Sequence, residues 1–374
     1  MIPPFCPYKE CPNHSHPPAL RWWRHAGSHD TKCFGSVPRF LCRTCGRTFS
    51  SQTFSTNYYA KRTIDYRRLE ELLASSMSIR ALARTFHCSC PSILNRCDRL
   101  ARQELAAHAL LRPLAARHEN VCIDGFVSFD RSQFFPNNLT IAITSDSRYL
   151  LSFTHATLRR SGSMTESQKK RRSTLYPGVP FERRALERSF TELLDELERD
   201  RPPRPAAPLV IVTDEKLEYE RAFYAHPLSR NQDEAHRVAL LRVNSTLPRS
   251  CHNPLFASNY LDRELRKDQA AHRRESTCFG RNVANGLSRL ACYVGWHNYR
   301  KRYRITGPAF DHRLHADQAG IGAEAIARTR RSVFTMRAFS SLIELDGIET
   351  KIWGKRFPTP GKTRPDYLPH FAFG

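Results

Sequence analysis

Two cysteine pairs stand near the N-terminus, Cys6 and Cys11 in CPYKEC and Cys42 and Cys45 in LCRTC. They constrain this stretch more than anything else in it. Residues 1–60 are rich in Cys, Pro, His, Gly and aromatics and lack helical periodicity, so they carry too little apolar mass to hold a fold unaided. Each pair offers two thiolates from one tight turn, and two such pairs about thirty residues apart suit one tetrahedral zinc ion. Pro7 after the first cysteine and GRTFS after the last fit a zinc ribbon, with Trp22, Trp23 and Phe40 as its small core. Cys33, His14 or His16 could replace one of the four ligands. Some of the 12 cysteines are also expected to be ordinary buried thiols.

Charge supplies the next constraint. The chain has 59 Lys and Arg against 36 Asp and Glu, a net +23, spread through RRLEELL, QKKRRS, RKRYR and RTRRS. Such a field attracts polyanions, and double-stranded DNA is the expected partner. An Arg-rich coding bias would give the same count without that function. No apolar run approaches the roughly 20 residues that span a bilayer, so no membrane partner is expected. No charged segment followed by an apolar run opens the chain, so no secretory leader is expected. The other cysteines follow no disulfide framework, which suits reduced thiols in the cytoplasm.

Residues 61–110 read as three short helices. Leu69, Leu72 and Leu73 mark one apolar face, Ile79, Leu82, Ala83 and Phe86 a second, and Ile93, Leu94, Cys97 and Leu100 a third. The break at His87–Cys90 precedes Pro91, a favoured first helical residue. Helix, short turn, helix is the helix-turn-helix pattern, with the last helix as reader and Ser92, Asn95, Arg96 and Arg99 as its candidate contacts. A generic helical bundle would share this periodicity.

Residues 118–304 read as α/β. NVCIDGFVSF, NNLTIAIT and RYLLSFTHATL are β-rich, and the basic, Ser-rich RRSGSMTESQKKRRS is expected to be a loop. Leu186, Phe190, Leu193, Leu194 and Leu197 mark a helix, PLVIVTD a strand running into an acid, and VANGLSRLACYVGWHNY a late helix whose end Trp296–Tyr299 packs. Strands in tandem, a helix, a strand ending in Asp and further helix form the order of a ribonuclease H-like domain. Residues 305–374 are a basic segment of unclear fold.

Three acids stand out by position. Asp124 follows Val121–Ile123, Asp214 closes Leu209–Thr213, and Asp262 lies at an expected helix start in SNYLDRELRKD. Carboxylates at two strand ends and one helix can converge on two hard divalent cations, Mg²⁺ or Mn²⁺, for in-line displacement at phosphorus. Each alone is equally an ordinary turn or cap residue. Glu264 competes with Asp262 for the third place, and Asp130 and Asp146 compete with Asp124. Arg273 and Arg274, with His272, follow the third acid and could bind the DNA backbone from the same helix, or form a solvated basic face. His236, between the second and third acids, could support the metal site or contact phosphate, but reads better as a surface histidine.

CPYKEC…CRTCGRTFS, SIRALARTFHCSCPSILNR, VCIDGF, VTDE and HNPLFASNYLDRELRKDQAAHRRESTCFGRN together resemble bacterial insertion-sequence transposases of the DDE/D type, over most of residues 1–300. The resemblance implies a zinc ribbon and a helix-turn-helix module before a ribonuclease H-like core. It also implies a metal-binding triad of Asp124, Asp214 and Asp262, homo-oligomers on DNA and a place in the bacterial nucleoid. Many relatives carry Glu as the third acid. A gapless match on Leu265–Arg266 and Cys278–Phe279 sets the Glu of the two-frame insertion elements opposite Asn259. The expected function is Mg²⁺-dependent strand cleavage and transfer at element ends. The alternatives are a zinc-containing transcriptional regulator with a non-catalytic C-terminal domain, and a structure-specific nuclease or resolvase.

Overall fold

A computed structural model describes residues 2–115, 119–199, 208–231, 233, 236–272, 278–304 and 312–373. The short helix α1 (Pro12–Ser15) precedes a three-stranded antiparallel sheet in the order β1 (Trp23–Thr31), β2 (Gly35–Cys42), β3 (Thr48–Ser50). Trp22 stacks on Phe49, and Trp23 meets Phe40 edge-on, so the expected aromatics do form the core of this module.

Three helices follow: α2 (Tyr66–Ala74), α3 (Ile79–Thr85) and α4 (Cys90–Leu111). Their starts are written locally, because Asp65, Ser78 and Ser89 each accept a hydrogen bond from a first-turn backbone N–H. Between α3 and α4 the chain turns through His87 at a positive φ of 49°. The third helix has 22 residues and is buried nearly all round from Arg96 onward. It packs along a later helix, α9 (Val283–Tyr299), so it is a central element of the molecule and not only the last helix of a small module.

The second sheet has five strands. β4 (Val121–Phe129), β5 (Pro136–Thr144) and β6 (Leu150–Thr157) are an antiparallel meander, and β7 (Leu209–Asp214) and β8 (Val238–Val243) run parallel to β4. The spatial order is β6-β5-β4-β7-β8. Between β6 and β7 come α5 (Glu166–Leu175) and α6 (Ala185–Arg199), and α7 (Leu217–Ala225) follows β7. The second half of the expected loop is instead the exposed helix α5, which a Thr165/Gln168 capping box starts. α6 packs on β5 and β6, whereas α8 (Phe256–Asp268) packs on β4 and β5. The late helix α9 spans Val283–Tyr299.

The C-terminal segment is no appendage. After α10 (His315–Gln318), both α11 (Ala323–Val333) and α12 (Gly347–Trp353) pack on α4. Phe339 then enters the core of the N-terminal module against Phe5, at 5.0 Å between ring centroids. Arg300 pairs with Glu70 of α2 and Glu104 of α4, and Arg112 with Asp346 and Glu349, all buried. One continuous apolar cluster therefore joins residues 61–110, the large sheet and the C-terminal helices. The limits at 110 and 304 mark changes of sequence texture, not of packing. Among the described residues, no helix is long and apolar enough to cross a membrane.

Candidate metal centres and nucleic-acid surface

The four N-terminal thiols meet. β2 delivers Cys42, and Gly46, at a φ of 68°, lets the chain double back so that its N–H reaches the Cys42 carbonyl. On the facing side, the Cys6 N–H donates to the Asn13 carbonyl and folds the first pair inward. Sγ of Cys6 lies 3.7 Å from Sγ of Cys45, and Sγ of Cys11 lies 3.7 Å from Sγ of Cys42. Bonds of about 2.3 Å to a tetrahedral zinc would place sulfurs about 3.8 Å apart, so the set is compatible with structural zinc. Burial raises the Cys42 thiol, but the Cys45 N–H and the Asn13 side chain outweigh it and bring it down to about 7. His14 is no ligand: Nδ1 bonds the Cys6 carbonyl and Nε2 the Ser341 hydroxyl.

The second centre lies on the large sheet. Val121 pairs with Ile211 and Cys122 with Val212, so the same register sets Asp124 beside Asp214 on neighbouring parallel strands. Asp214 closes β7 as expected, but Asp124 stands inside β4 and not at a strand end, because the pairing with β5 continues to Phe129. α8 crosses the same face and presents Asp262, and the three acids line one cleft of about 680 Å³ with Lys216, Asn259 and Arg249. Asp262 sits in the second turn of α8, which starts at Phe256, and not at a helix start. Enclosure in the cleft, together with the Asp124 charge, pushes Asp262 up to about 7. Burial also raises Asp124, which the Lys216 charge opposes and the Asp214 charge reinforces. Three hard oxygen donors that repel one another make a site that favours a cation.

A cation already stands there. Lys216 Nζ lies 2.6 Å from Oδ2 of Asp214 and 3.4 Å from Oδ1 of Asp124. The acids do not close on a common point by themselves. Among the described residues, the four cysteines are the only group of three or more Cys, His, Asp or Glu whose ligand atoms lie within 4.8 Å of one another.

The rival acids are placed elsewhere. Glu264, nearly fully buried, pairs with Lys301 and Lys267, which hold its carboxyl below the usual range despite burial. Asp130 is buried against His155 at 2.7 Å and Thr157 at 2.9 Å, and Asp146 is exposed in a turn. His236 is a surface residue bonded to Asp233. His272 is not on α8, which ends at Asp268; it lies buried under Phe126. Arg273 and Arg274 lie outside the described residues.

The reading helix requires a correction. Arg96 and Arg99 are buried: Arg96 donates to the Arg62 carbonyl at 2.8 Å, and Arg99 to those of Thr56 and Tyr58. Arg99 also lies over the Tyr58 ring. Both bind the incoming chain to α4, because the central position of α4 leaves that face no solvent. Asn95 accepts from Arg99 and is half-buried, and of the four candidates only Ser92 is exposed. The exposed basic groups around the start of α4 are Arg62, Arg80, Arg84 and His87, which with Ser89 and Ser92 border an open groove of about 1000 Å³. The sequence reading missed Lys216, Arg80 and Arg84. For the arginines the signal was present, since each sits about 160° around α3 from the buried Leu82.

No protein-family model matches this chain, and no curated protein matches its sequence.

Proposed function

We propose that this chain is a DNA transposase of the DDE/D type, with a ribonuclease H-like core behind a zinc ribbon and a helix-turn-helix module. The observation that carries the reading is the convergence of Asp124, Asp214 and Asp262, from two adjacent parallel strands and a crossing helix, in one cleft that basic residues border. The strand order, an antiparallel meander followed by two strands parallel to its first member, supports the core assignment. The exposed arginines beside the start of α4 support duplex binding.

Asp124, Asp214 and Asp262 would hold Mg²⁺ or Mn²⁺, and Cys6, Cys11, Cys42 and Cys45 a structural zinc. Bound divalent ions supply Lewis acidity and a deprotonated nucleophile, water for cleavage and a 3′-hydroxyl for transfer. The chain's own part is placement. Arg249, Arg263 and Arg266 line the cleft with the acids and would grip the phosphates that flank the scissile bond. α8 fixes Asp262 and Asn259 on one face, one turn apart.

The second reading, a regulator with a non-catalytic core, draws on the ion pair of Lys216 with both acids, which satisfies them without metal. The deciding experiment is cleavage of DNA that carries the flanks of this gene. Mg²⁺-dependent nicking, lost in Asp124→Asn and Asp214→Asn, supports the enzyme. DNA binding with no nicking under any divalent ion supports the regulator.

A further inference from the structure

We propose that Lys216 is a built-in counter-cation of the acidic centre, which competes with the divalent ion for Asp124 and Asp214 and gives way when DNA phosphate offers it another partner. The inference rests on the reading of the three acids as a metal centre.

The position of Lys216 is constructed. Its backbone N–H donates to Oδ1 of Asp214 at 3.2 Å while its ammonium takes Oδ2 at 2.6 Å, so one residue engages both oxygens of that carboxylate. The ammonium also lies 4.9 Å from the centroid of the Tyr219 ring. Tyr219 is fully buried and stacks on Phe190 at 4.7 Å, so the ring that supports Lys216 is rigid. It presses against the sheet at Gly125, where an added Cβ would stand 2.7 Å from its hydroxyl and 2.0 Å from Oδ1 of Asn138. A side chain after Asp124 would collide first with Asn138 and then with the Tyr219 hydroxyl, so position 125 has room for glycine alone. Strand, glycine, tyrosine and lysine form one assembly around the two acids.

Charge gives the assembly its consequence. The ammonium stands between two carboxylates, 2.6 Å from Asp214 and 3.4 Å from Asp124. It neutralises two carboxylates that would otherwise repel each other across adjacent strands, so it stabilises the metal-free fold. The same contacts place a positive charge where a divalent ion would bind, and the two cannot share the pair at close range. The Lys216 side chain is 33% exposed, so the ammonium can swing into the cleft without crossing the core. A phosphate bound there, beside Arg249 and Arg266, offers it an anion in exchange. Metal binding and DNA binding are then coupled, each favouring the other.

The test is Mn²⁺ binding to the zinc-loaded full chain, followed by electron paramagnetic resonance of free Mn²⁺, with and without a short DNA duplex. Lys216→Met is expected to tighten Mn²⁺ binding without DNA by about tenfold or more. It is also expected to lower the melting temperature of the Mn²⁺-free protein and to lose most of the tightening that DNA produces in the wild type. Lys216→Gln serves as the second variant should the first fold poorly. Asp124→Asn is the control. If it loses Mn²⁺ binding while both Lys216 variants bind like wild type, the counter-cation role is overturned and the metal centre stands. If it binds Mn²⁺ like wild type, the metal centre itself fails and the inference falls with it.

Discussion

Asp124 on β4 and Asp262 on α8 repel each other across the cleft, and enclosure together with the Asp124 charge pushes the Asp262 carboxyl up to about 7. An acid whose folded pKa exceeds its unfolded value of about 3.9 opposes folding once it ionises. The loss of stability begins near pH 4, grows as pH rises and is complete above about pH 7. Asp262→Asn removes the charge and is expected to stabilise the Mg²⁺-free protein more at about pH 8 than at about pH 4. Solvent at the cleft mouth limits the difference to on the order of 2 kcal/mol. Denaturant melts at the two pH values measure it, and equal shifts would refute the raised pKa.

Glu264 and Asp262 separate by the kind of damage their loss does. Glu264→Gln leaves the buried Lys301 with Asp268 but without the Glu264 charge and is expected to cost about 1–3 kcal/mol of stability. Asp262→Asn is expected to leave the fold intact and to reduce Mg²⁺-dependent cleavage to the metal-free level. Chemical denaturation paired with a cleavage assay distinguishes them, and a stable, inactive Glu264→Gln would reverse the assignment.

Arg99 and Arg80 make a similar contrast. Arg99→Ala strips partners from two buried carbonyls and a ring contact, and a loss of about 2–4 kcal/mol is expected. Arg80 is exposed, so Arg80→Ala is expected to change stability by less than about 0.5 kcal/mol. Its effect belongs to DNA affinity, with the salt dependence of binding reduced by about one ion. Fluorescence anisotropy over a salt series gives that slope, and an unchanged slope would place Arg80 off the DNA.

The four-cysteine module is expected to hold one zinc per chain and to lose it in Cys42→Ser. Phe339 packs in the core of that module, so its unfolding should also free the C-terminal segment. Elemental analysis and hydrogen exchange at residues 334–341 check both parts. A metal-free wild-type protein, purified without chelator, would remove the zinc reading.

What the sequence determined was local. The paired cysteines, Pro91 before apolar periodicity, and the apolar runs leading into Asp124 and Asp214 each depend on neighbours within one turn or one strand. The zinc-compatible cluster, the three helices and four of the five large-sheet strands were therefore legible. β8 was not, because a six-residue run such as VALLRV carries no periodicity that separates strand from helix. The rest required the third dimension. Asp262 and Glu264 are two residues apart, and about 200° of helix rotation sends one to the cleft and the other to Lys301. Arg96 and Arg99 look like a reading face until α4 proves to be a central helix on which the incoming chain packs. Lys216 was unremarked beside Asp214 because its meaning lies in the reach to Asp124, set by the pairing of β4 with β7. Spacing along a chain fixes which groups one element can offer. Which of them meet solvent, metal or each other depends on how the elements pack, and no local pattern encodes that.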